Sequence, residues 1–161
     1  MSDLRVGIGF DAHVLEEGVP LVLGGVVIDS PRGLAGHSDG DVIAHALVDA
    51  LLGAAGLGDI GELFPSGDPR WRGASSLDLL ARAYAQVREA GYELVNADCV
   101  LVGEEPRIGP LRLEMRQRLA GAIGVDPDRV AVRATTTDRL GFTGRGEGLA
   151  AQAVALVVKS S

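Results

Sequence analysis

Apolar and polar positions alternate at the start of the chain. Leu4, Val6, Ile8 and Phe10 interleave with Arg5, Gly7, Gly9 and Asp11, a period of two that predicts a strand. PLVLGGVVI (Pro20 to Ile28) reads as extended structure broken at Gly24-Gly25. In HSDGDVIAHALVDALLGAAG the period lengthens. Val42, Ile43, Ala46, Leu47, Ala50 and Leu51 share one face of a helix that Ser38 or Asp39 can cap. LGDIGELFPSGDPRWRGA follows as a loop of about 18 residues, a length that marks function or disorder in a compact domain. SSLDLLARAYAQVREAG predicts a second helix, opened by Ser75 or Ser76 and stopped by Gly91. LVNADCVLVG predicts a strand, Pro110 opens a third helix running to about Ile123, and RVAVRATT and AAQAVALVV predict two more strands. The order implies an α/β or α+β fold: one domain over residues 1–161, a mixed β-sheet with three main helices packed on one face.

Composition narrows this picture. Hydrophobic residues make up 47% and aromatics 4%, so aliphatic side chains and Ala must build the core. A single cysteine, Cys99, excludes a disulfide framework, and its apolar setting points to a buried structural thiol. Glycine accounts for 23 of 161 residues, about twice the usual share of about 7%, so the backbone turns tightly or approaches something closely. The net charge of −7 has the wrong sign for a general nucleic-acid binder; an anionic ligand needs local compensation from a metal or a few placed arginines. No basic leader with a long apolar run opens the sequence, and no stretch approaches the roughly 20 apolar residues that span a bilayer. The expectation is a cytoplasmic protein without a membrane partner.

Candidate chemistry begins at GFDAHV. On an extended backbone Asp11 and His13 point to one side, shared with Gly7 and Gly9, which predicts open space beside them. A strand-ending turn with a solvated histidine is the plain alternative. His45 adds a third potential ligand, with Asp41 and Asp49 four residues to either side as carboxylates for its other ring nitrogen. Two histidines and one carboxylate match a catalytic zinc site with an open position; a half-buried helix histidine among surface carboxylates fits the spacing equally. VGIGFDA also fits a relaxed dinucleotide fingerprint, which is rejected because Gly18 and Pro20 arrive before a helix can form.

ATTTDRLGFTGRGEG (Ala134 to Gly148) places three hydroxyls after a strand, followed by Asp138 and a run of glycines. Hydroxyls and free backbone N–H groups suit phosphate oxygens, and Asp138 can hold a second cation through them. By itself the stretch reads as a glycine-rich turn between strands. GEEPRIGP (Gly103 to Pro110) offers Arg107 in a Pro-bounded loop, as a ligand contact or a mere connection. A serine hydrolase finds little support: G-x-S-x-G is absent, and His37-Ser38 is an adjacent pair.

Taken together, GFDAH, HSDGDVIAHALVDALLGAAGLGDIGELFP and ATTTDRLGFTGRGEG, in this order, resemble the 2-C-methyl-D-erythritol 2,4-cyclodiphosphate synthases of the non-mevalonate isoprenoid pathway. The resemblance covers almost the whole chain. It implies a homotrimer with active sites between subunits, zinc on Asp11, His13 and His45, and a magnesium or manganese ion assisted by Asp138. His37 and Thr136 fall on positions that stabilise the transition state, with Ser38 beside the first. Asp59, Ile60 and Gly61 match a segment that binds the methylerythritol part, as do Phe64, Pro65, Ser66, Gly67 and Asp68. Gly103, Glu104, Glu105, Pro106, Arg107, Ile108 and Gly109 match the cytidine loop. Thr135, Thr136 and Thr137 match the phosphate-binding run, and Phe142 and Arg145 are further contacts.

The implied reaction closes a cyclic diphosphate. The 2-phosphate of 4-diphosphocytidyl-2-C-methyl-D-erythritol 2-phosphate attacks the β-phosphate of the same molecule and expels CMP, a phosphorus–oxygen lyase reaction. Three departures leave the zinc ligands untouched: FPSGD for the common FPDTD, TTTD for TTTE, so that Asp138 reaches the second cation with a shorter side chain, and Arg107 for a lysine. The competing class is a non-catalytic trimer that senses a nucleotide or isoprenoid phosphate. A zinc hydrolase is a third reading, and it requires a general base near the metal.

Overall fold

The structure is a computed structural model describing residues 2–161. Strand β1 (Leu4–Glu17) runs past the alternating stretch and carries Asp11 and His13 within it. Its far end pairs with a strand the sequence did not announce, β4 (Arg32–Leu34), while Leu4–Val14 pairs antiparallel with β7 (Gly148–Lys159). β7 pairs antiparallel with β5 (Tyr92–Val102), and β5 pairs parallel with β6 (Val130–Thr135). The result is a mixed five-stranded sheet in the order β4-β1-β7-β5-β6. Between β1 and β4, β2 (Leu21–Leu23) and β3 (Val26–Ile28) form a hairpin. It turns at Gly24-Gly25, both at positive φ, where glycine carries no steric penalty.

α1 (Val42–Ala55) lies on β1 and β7 and is buried along almost its whole length. α3 (Ser76–Glu89) packs beside it, and α4 (Arg112–Ile123) packs on α3 and β6. Leu47, Leu51, Leu80, Met115 and Leu119 meet the inward residues Cys99, Ala151, Ala153, Ala155 and Val157, all fully enclosed. Each large aliphatic side chain removed from water contributes about 1.5–3 kcal/mol. Burial pushes the Cys99 thiol up to about 12, in keeping with a structural thiol. The opposite face of β1 has no such cover: Leu4, Val6, Ile8 and Phe10 are 54%, 69%, 64% and 58% exposed. Among the described residues no helix is long and apolar enough to cross a membrane.

Several local expectations change. α1 is capped by Asp41, whose carboxylate accepts the N–H groups of Ile43 and Ala44, and not by Ser38 or Asp39. The long loop holds a short helix, α2 (Ile60–Leu63), and a tight turn at Pro69–Trp71. The glycine-rich stretch contains α5 (Gly141–Gly144). The space beside Gly7 and Gly9 is filled by α1. A Cβ on Gly7 would stand 2.0 Å from the Ala50 carbonyl oxygen, and one on Gly9 would stand 1.9 Å from that of Ala46. The glycines let helix and strand touch backbone to backbone.

Candidate metal centre and substrate cleft

That contact brings His45, on α1, against Asp11 and His13. His45 Nδ1 is 3.1 Å from Asp11 Oδ2, and His13 Nε2 is 2.9 Å from the same oxygen. One ligand atom from each residue lies within 4.8 Å of the other two. The rings meet edge to face, with centroids 5.5 Å apart.

Bonds on the far side of His13 decide where its proton sits. Its Nδ1–H donates to the Ala35 carbonyl at 2.8 Å, and a carbonyl only accepts, so the neutral ring carries its lone pair on Nε2. Nε2 is buried and has no hydrogen-bond partner, since Asp11 lies close but off the direction of a hydrogen bond. Burial pushes the Asp11 carboxyl up, but the neighbouring His13 and His45 outweigh it and hold the group below its usual range. The His13 imidazole is raised, chiefly by Asp11 and against the effect of burial. Two imidazole nitrogens thus converge on one carboxylate oxygen, which accepts the His45 Nδ1–H at 3.1 Å. Zinc with an open coordination position fits that donor set.

The carboxylates expected behind His45 are elsewhere. Asp41 is enclosed at the head of α1, where it also accepts the N–H groups of Gly24 and Gly25 at 2.9 and 2.7 Å; burial pushes its carboxyl up to about 6. Asp49 accepts the Ile60 N–H at 2.7 Å and anchors α2. Helical spacing puts both near His45 along the axis but says nothing of where their side chains turn. The true neighbours of His45 Nε2 are the hydroxyls of Ser76 at 2.8 Å and Ser38 at 3.0 Å. Ser76 lies 31 residues further along the chain, where the sequence marks it only as the start of a helix.

A cleft of about 430 Å³ opens from this point. His37 and Ser38 edge it, Ile60 and Gly61 come from α2, and Phe64, Pro65, Ser66 and Gly67 form the lip. Trp71 and Leu79, which motif reading passed over, add apolar wall. Trp71 packs edge to face on Phe64 and lies within cation–π distance of Arg70 and Arg82. Asp59 and Asp68 are not part of the lining. Asp59 caps α2, and the Asp68 carboxylate pairs with exposed Arg70, while its carbonyl accepts from His37 Nε2 at 3.2 Å.

Gly103, Glu104, Pro106, Arg107, Ile108 and Gly109 gather with Thr135 and Thr136 around a second hollow of about 370 Å³. Glu105, Arg107, Thr136 and Arg145 border a third, together with Arg32 and Arg139. Thr137 donates its hydroxyl to the Leu140 carbonyl at 2.6 Å. Asp138 and Arg139 take left-handed backbone, and the Asp138 side chain stays exposed. Phe142 is partly exposed, and Arg145 pairs with Glu147 at 2.7 Å. Ala12, Ala150, Val102 and Thr135 stand side by side across the sheet. Three strand spacings, roughly 14 Å, therefore separate the backbone bearing His13 from that bearing Thr135. The lining of the metal cleft includes none of Gly103–Gly109 and none of the three threonines.

The sequence matches the model of the YgbB family over residues 4–158. It is 57% identical over 155 residues to the 2-C-methyl-D-erythritol 2,4-cyclodiphosphate synthase of Moorella thermoacetica, covering 96% of this chain and 95% of that one. The fold superposes on a synthase of the same name in its CDP-bound form with a TM-score of 0.86 at 44% identity, covering 95% and 99% of the two chains. It superposes on the bifunctional IspDF of Campylobacter jejuni with a TM-score of 0.95 at 45% identity, covering 99% of this chain and 43% of that one.

Proposed function

The chain belongs to the YgbB family, and from that premise we propose that it catalyses the reaction for which its relatives are named. It is a cytoplasmic phosphorus–oxygen lyase that converts 4-diphosphocytidyl-2-C-methyl-D-erythritol 2-phosphate to the 2,4-cyclodiphosphate and CMP. The observation that carries this reading is the convergence of Asp11, His13 and His45 at the foot of a cleft edged by His37 and Ser38.

The nucleophile is already an anionic phosphate, so the protein must fold the substrate in line and offset repulsion between phosphates. Asp11, His13 and His45 would hold zinc, which would supply a Lewis acid for phosphoryl oxygens, and Asp138 would help to hold magnesium or manganese, which would offset phosphate charge. Ile60, Gly61 and the Phe64–Gly67 lip enclose the methylerythritol part. The Gly103–Gly109 loop takes the cytidine, with Arg107 supplying charge, and Thr135–Thr137 with Arg145 take phosphate oxygens. Thr136 donates its hydroxyl to charge that grows in the transition state. His37 already gives Nε2–H to the Asp68 carbonyl. It donates to phosphate from Nδ1 only when the ring is doubly protonated.

The two half-sites stand apart within one chain, so a neighbour's threonines and cytidine loop complete each metal cleft. The uncovered apolar strip of β1 supports a homotrimer closed around these faces, and sedimentation at micromolar concentration tests it.

The deciding experiment incubates the protein with the cytidyl substrate, zinc and magnesium, followed by phosphorus NMR. Cyclic diphosphate with stoichiometric CMP is expected. Binding without turnover in a zinc-loaded protein would favour the sensor, and solvent oxygen in the product would favour the hydrolase. His45→Ala is expected to lower turnover by at least about 1,000-fold, roughly 4 kcal/mol of barrier, with the fold retained. Near-normal CMP release would remove the metal assignment.

A further inference from the structure

We infer that Asp39 and Ser76 are positioning residues that hold the Nε2–H side of His45 and thereby present its Nδ1 to the metal; the inference rests on the metal reading given above. Ser76 opens α3 and is fully buried. Its backbone N–H donates to Asp39 Oδ2 at 2.9 Å, and its hydroxyl donates to Asp39 Oδ1. A third donor, the Asp41 N–H, reaches Oδ1 at 3.1 Å. Every named partner of this carboxylate is a donor, so Asp39 serves as an acceptor throughout.

The consequence passes along the chain of bonds. With its proton given to Asp39, Ser76 Oγ offers only lone pairs to His45 Nε2, 2.8 Å away. Nε2–H is the donor that this bond calls for, and the Nδ1 proton, which bonds Asp11 Oδ2 at 3.1 Å, is the one a metal ion displaces, leaving the Nδ1 lone pair for the ion. The Ala35 carbonyl does the same for His13 from the opposite ring nitrogen. One ligand is thus oriented by a neutral carbonyl and the other by a carboxylate acting through a hydroxyl. In HSDGD the two acidic residues have separate tasks: Asp41 holds the helix, and Asp39 reaches across to α3 and holds the histidine.

Ser76→Ala and Asp39→Asn test this, with zinc affinity measured by competition against a chromophoric chelator and the His45 Nε2–H followed by nitrogen-15 NMR of the zinc-loaded protein. We expect wild type to show an Nε2–H that exchanges slowly with solvent. Both variants should lose zinc affinity on the order of 10–100-fold and exchange that proton faster, while remaining folded by circular dichroism. Asp39→Asn keeps the shape of the side chain and reports on its own if Ser76→Ala fails to fold. Unchanged affinity and unchanged Nε2–H exchange in a folded variant would overturn the relay. If His45→Ala binds zinc as tightly as wild type, the metal reading itself falls.

Discussion

The metal cleft and the Thr135–Gly148 turn lie toward the same end of the sheet and are built in opposite ways. In the cleft, ligands from β1 and α1 rest on a backbone-to-backbone contact, and a distant group holds the far nitrogen of each metal-facing histidine. In the turn, the hydroxyls bond locally: Thr135 to the Thr136 carbonyl, Thr136 to Asp138, Thr137 to Leu140 and Thr143. A group of converging ligands must be held in place before its ion arrives, because small errors in their geometry weaken the site. Hydroxyls that meet a substrate need no such scaffold, and their exposure leaves them free to exchange local partners for phosphate oxygens. Stability and chemistry are coupled in the first region and separable in the second.

Gly9→Ala should break the comparison most severely. The added methyl meets the backbone of Ala46 and Ala50, so α1 must move away from β1. A loss of about 3 kcal/mol or more is expected in urea unfolding, accompanied by weaker zinc binding. An unaltered midpoint would show that the helix has room to shift.

Asp41→Asn comes next, and it carries a pH signature. Burial pushes the carboxyl up to about 6 in the folded protein, from an ordinary value of 3.8. Between those values the native state holds the extra proton, so the contribution of Asp41 is fully present below 3.8 and is lost as pH rises through 6. The stability difference between wild type and variant should change by about 3 kcal/mol across that window, favouring wild type at the acid end. Parallel unfolding curves at all pH values would remove the burial argument.

Asp138→Ala should leave the melting temperature in place. It should raise the magnesium concentration for half-maximal CMP release roughly tenfold, which corresponds to about 1.4 kcal/mol. An unchanged magnesium titration would move the second cation elsewhere. The smallest effect belongs to Glu147→Gln, which removes an exposed ion pair with Arg145 and should not move the melting temperature measurably.

These contrasts bear on what the chain reveals unaided. Alternation along β1 and the apolar face of α1 are periodic, so Asp11, His13 and His45 were legible as a set from spacing. Spacing also put Asp41 and Asp49 beside His45. It failed there because a side chain at a helix head turns back onto free N–H groups, as Asp41 does, and Asp49 instead takes the N–H of Ile60. The partnership of Ser76 was invisible because it crosses from one element to another, where no period applies. Gly7 and Gly9 looked like vacant space, and only the path of α1 shows that a backbone fills it. The hydroxyl-rich turn was legible as chemistry but not as geometry, since glycine-rich sequence constrains the backbone least.

The central place of β7 has a consequence for how the molecule is made. Its residues, 148–159, leave the ribosome after every other strand of this sheet, yet they join β1 to β5 in the middle of it. Asp11, His13 and His45, the candidate ligands, are made more than a hundred residues before β7 begins. Until β7 emerges, β1 lacks the long partner that holds it under α1, so the ligands cannot be gathered early. High contact order of this kind slows folding and couples metal capture to completion of the sheet. A nascent chain that stalls before Gly148 carries every ligand and no site.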